Sequence, residues 1–281
     1  MKTYLINLDR SPDRFEFFRN QAQTVGISFE RIPAIDGRSL PETTWRSIVD
    51  ERFEFQPISV YEVACFLSHK AIWEGMVRDR IAMAAIFEDD AILAPQIADT
   101  FRSIENAQVS FDLIKLETTL RSVVLAKSSV SLASGESLHK LRSWHGGTAG
   151  YVVSLEGARK LSKATNLISD QIDQAMFNPL SKISSSLNIL QCKPAICIQK
   201  ELLHRGQTET FASTIERKST RRRLFRHGML IDLRRLVKKL QQKALAKRLA
   251  KQPENFQAVV QMSSLERATQ EQATRPSTVA A

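Results

Sequence analysis

The sequence predicts an α/β fold, a β-sheet flanked by helices, followed by a basic amphipathic helical segment. Three observations carry this. At the N-terminus a short apolar strand, an amphipathic stretch and a second apolar strand follow one another, the βαβ pattern of a parallel sheet. Ile81–Phe87 is an uninterrupted apolar run of strand length, suited to burial on both faces. Residues 217–251 hold 14 Lys/Arg and one acid, Asp232, a local charge of +13. The other residues hold 26 basic and 29 acidic side chains, or −3, so the pI of 9.7 belongs to one segment and not to the body. At 281 residues and 43% hydrophobic, the chain can bury the core of one large domain with an appendage.

The elements follow in order. Thr3–Leu8 reads as the first strand. Ser11, Pro12 and Asp13 open a helix: a capping hydroxyl, a proline where no N–H is needed, and an acid near the positive end of the dipole. Phe15, Phe18, Ala22 and Val25 line one face, and Gly26 ends it. Ile27–Ile32 is the second strand, with a turn at Asp36-Gly37. Ser59-Val60-Tyr61-Glu62 has the capping-box pattern and starts a helix to about Arg78. Ile81–Phe87 then runs into Glu88, Asp89 and Asp90. Phe111–Leu116 alternates, so it reads as a half-buried strand with Lys115 as a surface charge. Residues 121–143 are Ser-rich and read as a hairpin or mobile loop. Gly146-Gly147-Thr148-Ala149-Gly150 forms a tight turn region before a Tyr151–Val153 strand and a helix from about Ser154. Asp170–Phe177 is a short helix, and Leu187–Gln191 and Ala195–Gln199 are late strands.

Several classes are disfavoured. The longest apolar run is Ile81–Phe87, far short of the ~18 residues a membrane span needs. No secretory signal is expected, because Tyr4-Leu5-Ile6 is followed at once by Asn7, Asp9 and Arg10. Cys65, Cys192 and Cys197 lack CxxC spacing, which points to a reducing compartment, to small buried hydrophobes and away from a zinc site.

Carboxylates are rarely buried without a partner, yet three lie here between two core-like stretches. Strand alternation would put Glu88 and Asp90 on one face and Asp89 on the other. The carboxyl end of a buried strand is where open α/β sheets bind ligands. Hard oxygen donors there suit Mg²⁺ or Mn²⁺ shared with a diphosphate. By spacing alone, an acidic turn paired with nearby Arg or Lys explains the run equally well.

Six blocks decide between these. YLINLDRSPDR (4–14), ACFLSHKAIWE (64–74), IFEDDAIL (86–93), FDLIKL (111–116), GTAGYVVSLEGARKL (147–161) and QIDQAMF (171–177) resemble, in order and spacing, the motifs of glycosyltransferase family 25. The resemblance spans about residues 2–200. It implies a GT-A-like, Rossmann-type mixed sheet flanked by helices. It implies an inverting glycosyltransferase that uses a UDP-sugar, usually UDP-galactose, with a divalent metal, Mn²⁺ or Mg²⁺, at Glu88 and Asp90. The acceptor would be lipooligosaccharide or a related, lipid-linked glycan. Two departures bear on the donor. Tyr61-Glu62-Val63-Ala64-Cys65 stands where the family usually has Gly-Glu-x-Gly-Cys, and Gln171-Ile172 where Asp173 is usually preceded by Pro and an apolar residue.

Under that resemblance, Asp173 is the candidate base for the acceptor hydroxyl, or an ordinary first-turn carboxylate. Asp170 competes for either role. Asn7, Arg10 and Arg14, just after the first strand, are placed to meet base, ribose or phosphate. Glu62, Ser68, His69 and Asp89 join them as donor-binding candidates, with His145, Gly147 and Thr148 on the Gly-rich loop as donor-sugar or acceptor contacts. A non-catalytic nucleotide-sugar or glycan-binding protein of the same fold is the alternative.

The domain reading is catalytic over 1–215, basic amphipathic over 216–251, and a disordered polar tail over 252–281. Met229, Leu233, Leu236 and Leu240 recur at helical spacing, with Arg234, Arg235, Lys238, Lys239 and Lys243 between them. One apolar stripe in a cationic helix fits an anionic membrane surface or a docking face on the body. Nucleic acid is disfavoured, since Phe225 is the one aromatic residue there for base stacking. The expected location is cytoplasmic, peripheral on the inner face of the membrane.

Overall fold

The computed structural model describes residues 1–50, 58–203 and 225–263, with side chains of the last stretch from Leu236 onward. Its elements in chain order are β1 (Lys2–Asn7), α1 (Pro12–Thr24), β2 (Glu30–Pro33), α2 (Glu42–Ser47), α3 (Val60–Arg78), β3 (Met83–Glu88), β4 (Ala91–Leu93) and α4 (Ile97–Asn106). Next come β5 (Leu113–Lys115), β6 (Glu117–Thr118), the hairpin β7 (Ser122–Ser131) and β8 (Ser137–Leu141), β9 (Gly150–Ser154), α5 (Leu155–Ala164), α6 (Ile172–Phe177) and α7 (Lys182–Ser185). The chain continues through β10 (Ile189–Lys193), β11 (Cys197–Gln199), α8 (Lys200–Leu203), α9 (Phe225–Ala250) and β12 (Asn255–Val259).

The main sheet is mixed, in the order β12-β7-β8-β10-β5-β9-β3-β1-β2. A small sheet, β4-β11-β6, sits beside it. β1 pairs parallel with both β2 and β3, as the βαβ pattern predicts. β9 inserts antiparallel between β3 and β5, with Gly150 opposite Phe87 and Tyr151 opposite Lys115. This reversal positions the site. It delivers the Gly-rich loop before β9 to the carboxyl ends of β3 and β5, the ligand-binding edge of such sheets.

The central strands are continuously apolar because both faces are covered. Tyr4, Ile6, Ala84, Ile86, Leu113, Tyr151 and Val153 pack on one side with Phe66 and Trp73 of α3 and with Ala158 and Leu161 of α5. Leu5, Ala85, Phe87, Ile114 and Val152 pack on the other with Phe18 of α1 and Phe101 of α4. The capping box is present: Ser59 Oγ accepts from Glu62 N, and Glu62 Oε2 accepts from Ser59 N at 2.6 Å. Gly26 takes φ +71° beyond α1, a left-handed conformation that glycine adopts without steric cost.

Three expectations are corrected. Phe111–Leu116 is not half-buried: Lys115 is 0% exposed, because β5 is an interior strand between β10 and β9. Residues 252–281 are not a detached tail throughout. β12 pairs antiparallel with β7, Val260 and Met262 are buried, and Thr118 donates to the Val260 carbonyl. The body therefore extends past the basic segment, so the boundary at 215 does not mark its end. Residues 264–281 and 217–224 lie outside the described residues. Within α9, Leu236 and Leu240 are 54% and 55% exposed, which leaves that part of the stripe off the body.

Candidate active site

The acidic run sits where β3 ends. The pleat stops at Glu88, so strand alternation does not reach Asp89 and Asp90. Both turn toward one cation: Arg14 Nη2 lies 2.8 Å from Asp89 Oδ1 and 3.0 Å from Asp90 Oδ2. The predicted opposition of Asp89 to Asp90 is thus corrected. Asp89 is the braced member. Its Oδ2 accepts from Asn7 Nδ2 at 2.7 Å, and Asn7 also donates to the Ser11 carbonyl and accepts from Arg31 Nε. Asn7 and Arg14 are both buried beside these carboxylates. Asp90 differs. Its Oδ1 is buried without a hydrogen-bond partner among the described residues. Burial, with Glu88 next in effect, pushes its carboxyl up to about 7.

Glu88 is held from two sides. Thr148 Oγ1 donates to its Oε1 at 2.5 Å, and His69 Nε2 lies 3.4 Å from the same oxygen. The other neighbours of His69 bear on its tautomer. Trp73 Nε1 can only donate, and does so to the Tyr151 hydroxyl at 3.0 Å. Tyr151 in turn meets His69 Nδ1 at 2.9 Å; with the hydroxyl hydrogen directed at that nitrogen, the neutral ring carries its own hydrogen on Nε2, facing Glu88. Burial acts to raise the Glu88 carboxyl, but the His69 contact and the Thr148 hydroxyl outweigh it and hold the group below its ordinary value. Cys65, one turn before His69 on α3, lies close by: donor atoms of Cys65, His69 and Glu88 fall within 4.8 Å of one another. Its reading as a mere packing residue did not anticipate this place.

The loop Gly146–Ala149 ties the remaining groups together. Gly147 N donates to Asp173 Oδ2 at 3.3 Å, and its carbonyl accepts from Lys115 Nζ at 2.6 Å. Lys115 also pairs with Glu117 Oε2 at 3.1 Å and lies over the Phe177 ring. Glu117 Oε2 further accepts from Ala149 N. Gly147 is obligatory here on two grounds. Its φ is +85°, and a Cβ would stand 2.4 Å from Glu117 Oε1. Burial pushes Glu117 up to about 7, with Lys115 acting against it. Asp173 is also raised by burial, opposed by the Gly147 N–H, the Lys115 charge and the Gln174 N–H.

Glu88, Asp90, Asp173, His69, Gly147 and Thr148 therefore converge, and Asn7, Arg14 and Asp89 brace them. Others do not join. His145 is buried, with Nδ1 on Gln191 Oε1 at 2.7 Å and Nε2 accepting from Thr119 N. Burial lowers its ring to about 3. It is a neutral structural histidine, which corrects its reading as a loop contact. Ser68 caps locally, donating to the Ala64 carbonyl and accepting from Ile35 N. Glu62 is engaged by the capping box and by Gln171. Asp170 is buried beside Ser169, and Arg10 pairs with Asp36 at 2.7 Å. Tyr61, at one departure from the family pattern, packs its ring on Gly37, where a Cβ would come within 2.8 Å.

The sequence reading missed Lys115, Glu117, Tyr151 and Trp73 as site-supporting groups. A charged residue two positions from another, inside an apolar run and followed by an acid, was the available signal for the first pair.

Comparison with known proteins now bears on this arrangement. A family model described as glycosyltransferase family 25 (LPS biosynthesis protein) matches residues 1–176. The chain is 32% identical over 187 residues to the lipooligosaccharide biosynthesis protein lex-1 of Haemophilus influenzae, covering 63% of this chain and 61% of that protein. It is 26% identical over 210 residues to the lacto-N-neotetraose biosynthesis glycosyltransferase LgtB of Neisseria gonorrhoeae, covering 71% and 75%. It is 26% identical over 201 residues to procollagen galactosyltransferase 1-A of Xenopus laevis, covering 66% and 32%. The match spans 27% of a glycosyltransferase 25 family member from Drosophila pseudoobscura pseudoobscura, so the chain covers only part of several relatives. A solved structure, the inositol-1-phosphate CTP transferase from T. maritima, overlaps at TM-score 0.33 and 8% identity over 71% of this chain and 70% of that one, too loosely to argue from. With well over half its length under the family model, this chain belongs to glycosyltransferase family 25.

Proposed function

We propose that the chain transfers a hexose, galactose foremost, from a UDP-sugar to a hydroxyl of a lipooligosaccharide or related glycan, with inversion at the anomeric carbon. The observation that carries this is the convergence of Glu88, Asp90 and Asp173 at the carboxyl edge of β3 and β5, with one Asp90 oxygen buried and unpartnered. An orphaned carboxylate oxygen close enough to Glu88 to feel its charge is a fitting place for a hard divalent cation. Glu88 and Asp90 would hold Mn²⁺ or Mg²⁺, which when bound supplies Lewis acidity toward the diphosphate leaving group. The chain's own groups do the rest. Arg14 fixes Asp89 and Asp90. Thr148 and the His69–Tyr151–Trp73 relay fix Glu88. Asp173 accepts the acceptor's hydroxyl proton as the new C–O bond forms and the bond to diphosphate breaks on the opposite face.

A donor screen by UDP release, with and without Mn²⁺, tests the reading. Release should need the metal and one preferred UDP-sugar. Asp90→Asn should lower kcat by ~10²–10³, the cost of losing one preorganised electrostatic contact, with circular dichroism unchanged. Equal turnover in variant and wild type sinks the assignment. Donor binding without turnover for every sugar favours the non-catalytic alternative.

The same reading places the enzyme on an anionic membrane surface through α9. Leu236, Val237 and Leu240 are exposed amid Lys238, Lys239 and Lys243. No helix among the described residues is long and apolar enough to cross a membrane. Each cation near an anionic bilayer contributes ~1 kcal/mol, screened beyond about 8 Å at physiological salt. Co-sedimentation with phosphatidylglycerol vesicles should weaken steeply as salt rises. Leu236→Glu with Leu240→Glu should reduce it about tenfold or more although most positive charge remains. Unchanged sedimentation of that variant would exclude insertion of the stripe. Deleting everything beyond 215 is not a clean version of this test, since it also removes β12.

A further inference from the structure

We infer that Trp144 is a sugar-contacting residue, forming the platform on which the acceptor hexose lies while its hydroxyl meets Asp173. The inference rests on the proposed role of Asp173. It starts from an unsatisfied group. The Trp144 indole N–H is buried and has no hydrogen-bond partner among the described residues. Buried indole N–H groups normally find one, and in this chain Trp73 does, at the Tyr151 hydroxyl.

The backbone around Trp144 is fixed. Ser143 is buried and its Oγ accepts from Val124 N at 2.8 Å. His145 is pinned by Gln191 and Thr119. Trp144 itself is only half-buried, so the ring stands in a held position without being enclosed. Its location is given by Gly146. A Cβ there would lie 3.0 Å from Trp144 Cζ2 and 3.5 Å from Cε2, the atoms on the nitrogen-bearing side of the benzo ring, and 3.1 Å from Asp173 Oδ2. The indole edge and the carboxylate thus meet over one residue that has no side chain.

The chemistry matches a pyranose. The axial C–H face of a hexose packs on an aromatic face, and the ring's oxygens accept from an N–H at its edge. Both halves of that recognition stand beside the carboxylate that would deprotonate the attacking hydroxyl. An uncharged hexose is favoured over a phosphate or a base here, because Asp173 repels the first and a hydroxyl is what a general base needs.

The test uses the full chain with methyl β-glucoside, methyl β-galactoside and methyl β-N-acetylglucosaminide as probes. At least one should change the intrinsic fluorescence, and Trp144→Phe should abolish that change while Trp45 and Trp73 remain. In steady-state assays Trp144→Phe, which keeps a ring but loses the N–H, should raise the KM for that hexoside about tenfold, the worth of one hydrogen bond. Trp144→Leu, which loses both, should raise it about tenfold further. The UDP-sugar KM and the kcat at saturating hexoside should move less than about threefold. A parallel rise in UDP-sugar KM, an unchanged hexoside KM, or no fluorescence response to any of the three overturns the inference. If the wild type shows no turnover of any UDP-sugar, the catalytic reading has failed, and the fluorescence arm still decides whether Trp144 meets a hexose.

Discussion

Lys115→Met is expected to cost about 3–5 kcal/mol of stability, the penalty for leaving one partner of a buried ion pair behind. Lys115 and Glu117 are both 0% exposed. Lysine's three hydrogens have two oxygen acceptors here, Glu117 Oε2 and the Gly147 carbonyl, and its charge lies over the Phe177 ring. Methionine keeps the stem and removes all of this. The deficit should also depend on pH. Glu117 in the folded chain titrates near 7, above its ordinary 4.5. The native state therefore holds an extra proton between those values, and stability falls as pH rises through that window. Lys115 acts to lower the Glu117 value, so without it the window extends upward. Urea melts should show a small deficit near about pH 5, where Glu117 is protonated in the fold, and a larger one near about pH 8. Adding Glu117→Gln should recover much of the loss, because no buried charge is then left alone. A deficit independent of pH, with no recovery in the double variant, would mean that only packing was lost.

That pair also shows where sequence reasoning stops. The period-2 alternation of Phe111–Leu116 was visible, and it correctly gave a strand. Alternation says which side chains share a face; it does not say whether that face meets water. β5 became an interior strand because β9 reverses direction to lie between it and β3, a topological event with no local signature. β12 was missed for a related reason. Asn255–Val259 follows a long charged helix and is short, with Asn255 and Gln257 among its five residues, which suffices for an edge strand but resembles a polar tail. Elements with local chemistry were legible: the Ser59 capping box, Pro12 at the start of α1, and the apolar run ending at Glu88. The acidic cluster was legible as residues but not as geometry. The pleat ends two residues earlier than its extrapolation assumed, and Arg14 then gathers Asp89 and Asp90 together.

Asp173→Asn is expected to lower kcat by about 10²–10⁴, the range for losing a general base, while UDP-sugar affinity changes less than about threefold. Asp173 opens α6, and both its oxygens are oriented by backbone N–H groups, Gln174 at 2.7 Å and Gly147 at 3.3 Å. Asparagine keeps the size and one acceptor oxygen, so the loop can hold its place. What it cannot do is take a proton. The pH profile separates this from a structural effect. Burial holds the Asp173 carboxyl above its ordinary value of 3.8, and the base works only when ionised. Wild-type kcat should therefore rise with pH through a limb displaced above the ordinary aspartate range. The residual rate of Asp173→Asn should lack that limb. If donor affinity collapses together with the rate, Asp173 is a donor-binding or structural residue. Asp170, three residues earlier and buried beside Ser169, is then the next candidate base. Asp170→Asn, and not Asp173→Asn, should then be the variant that lacks the limb.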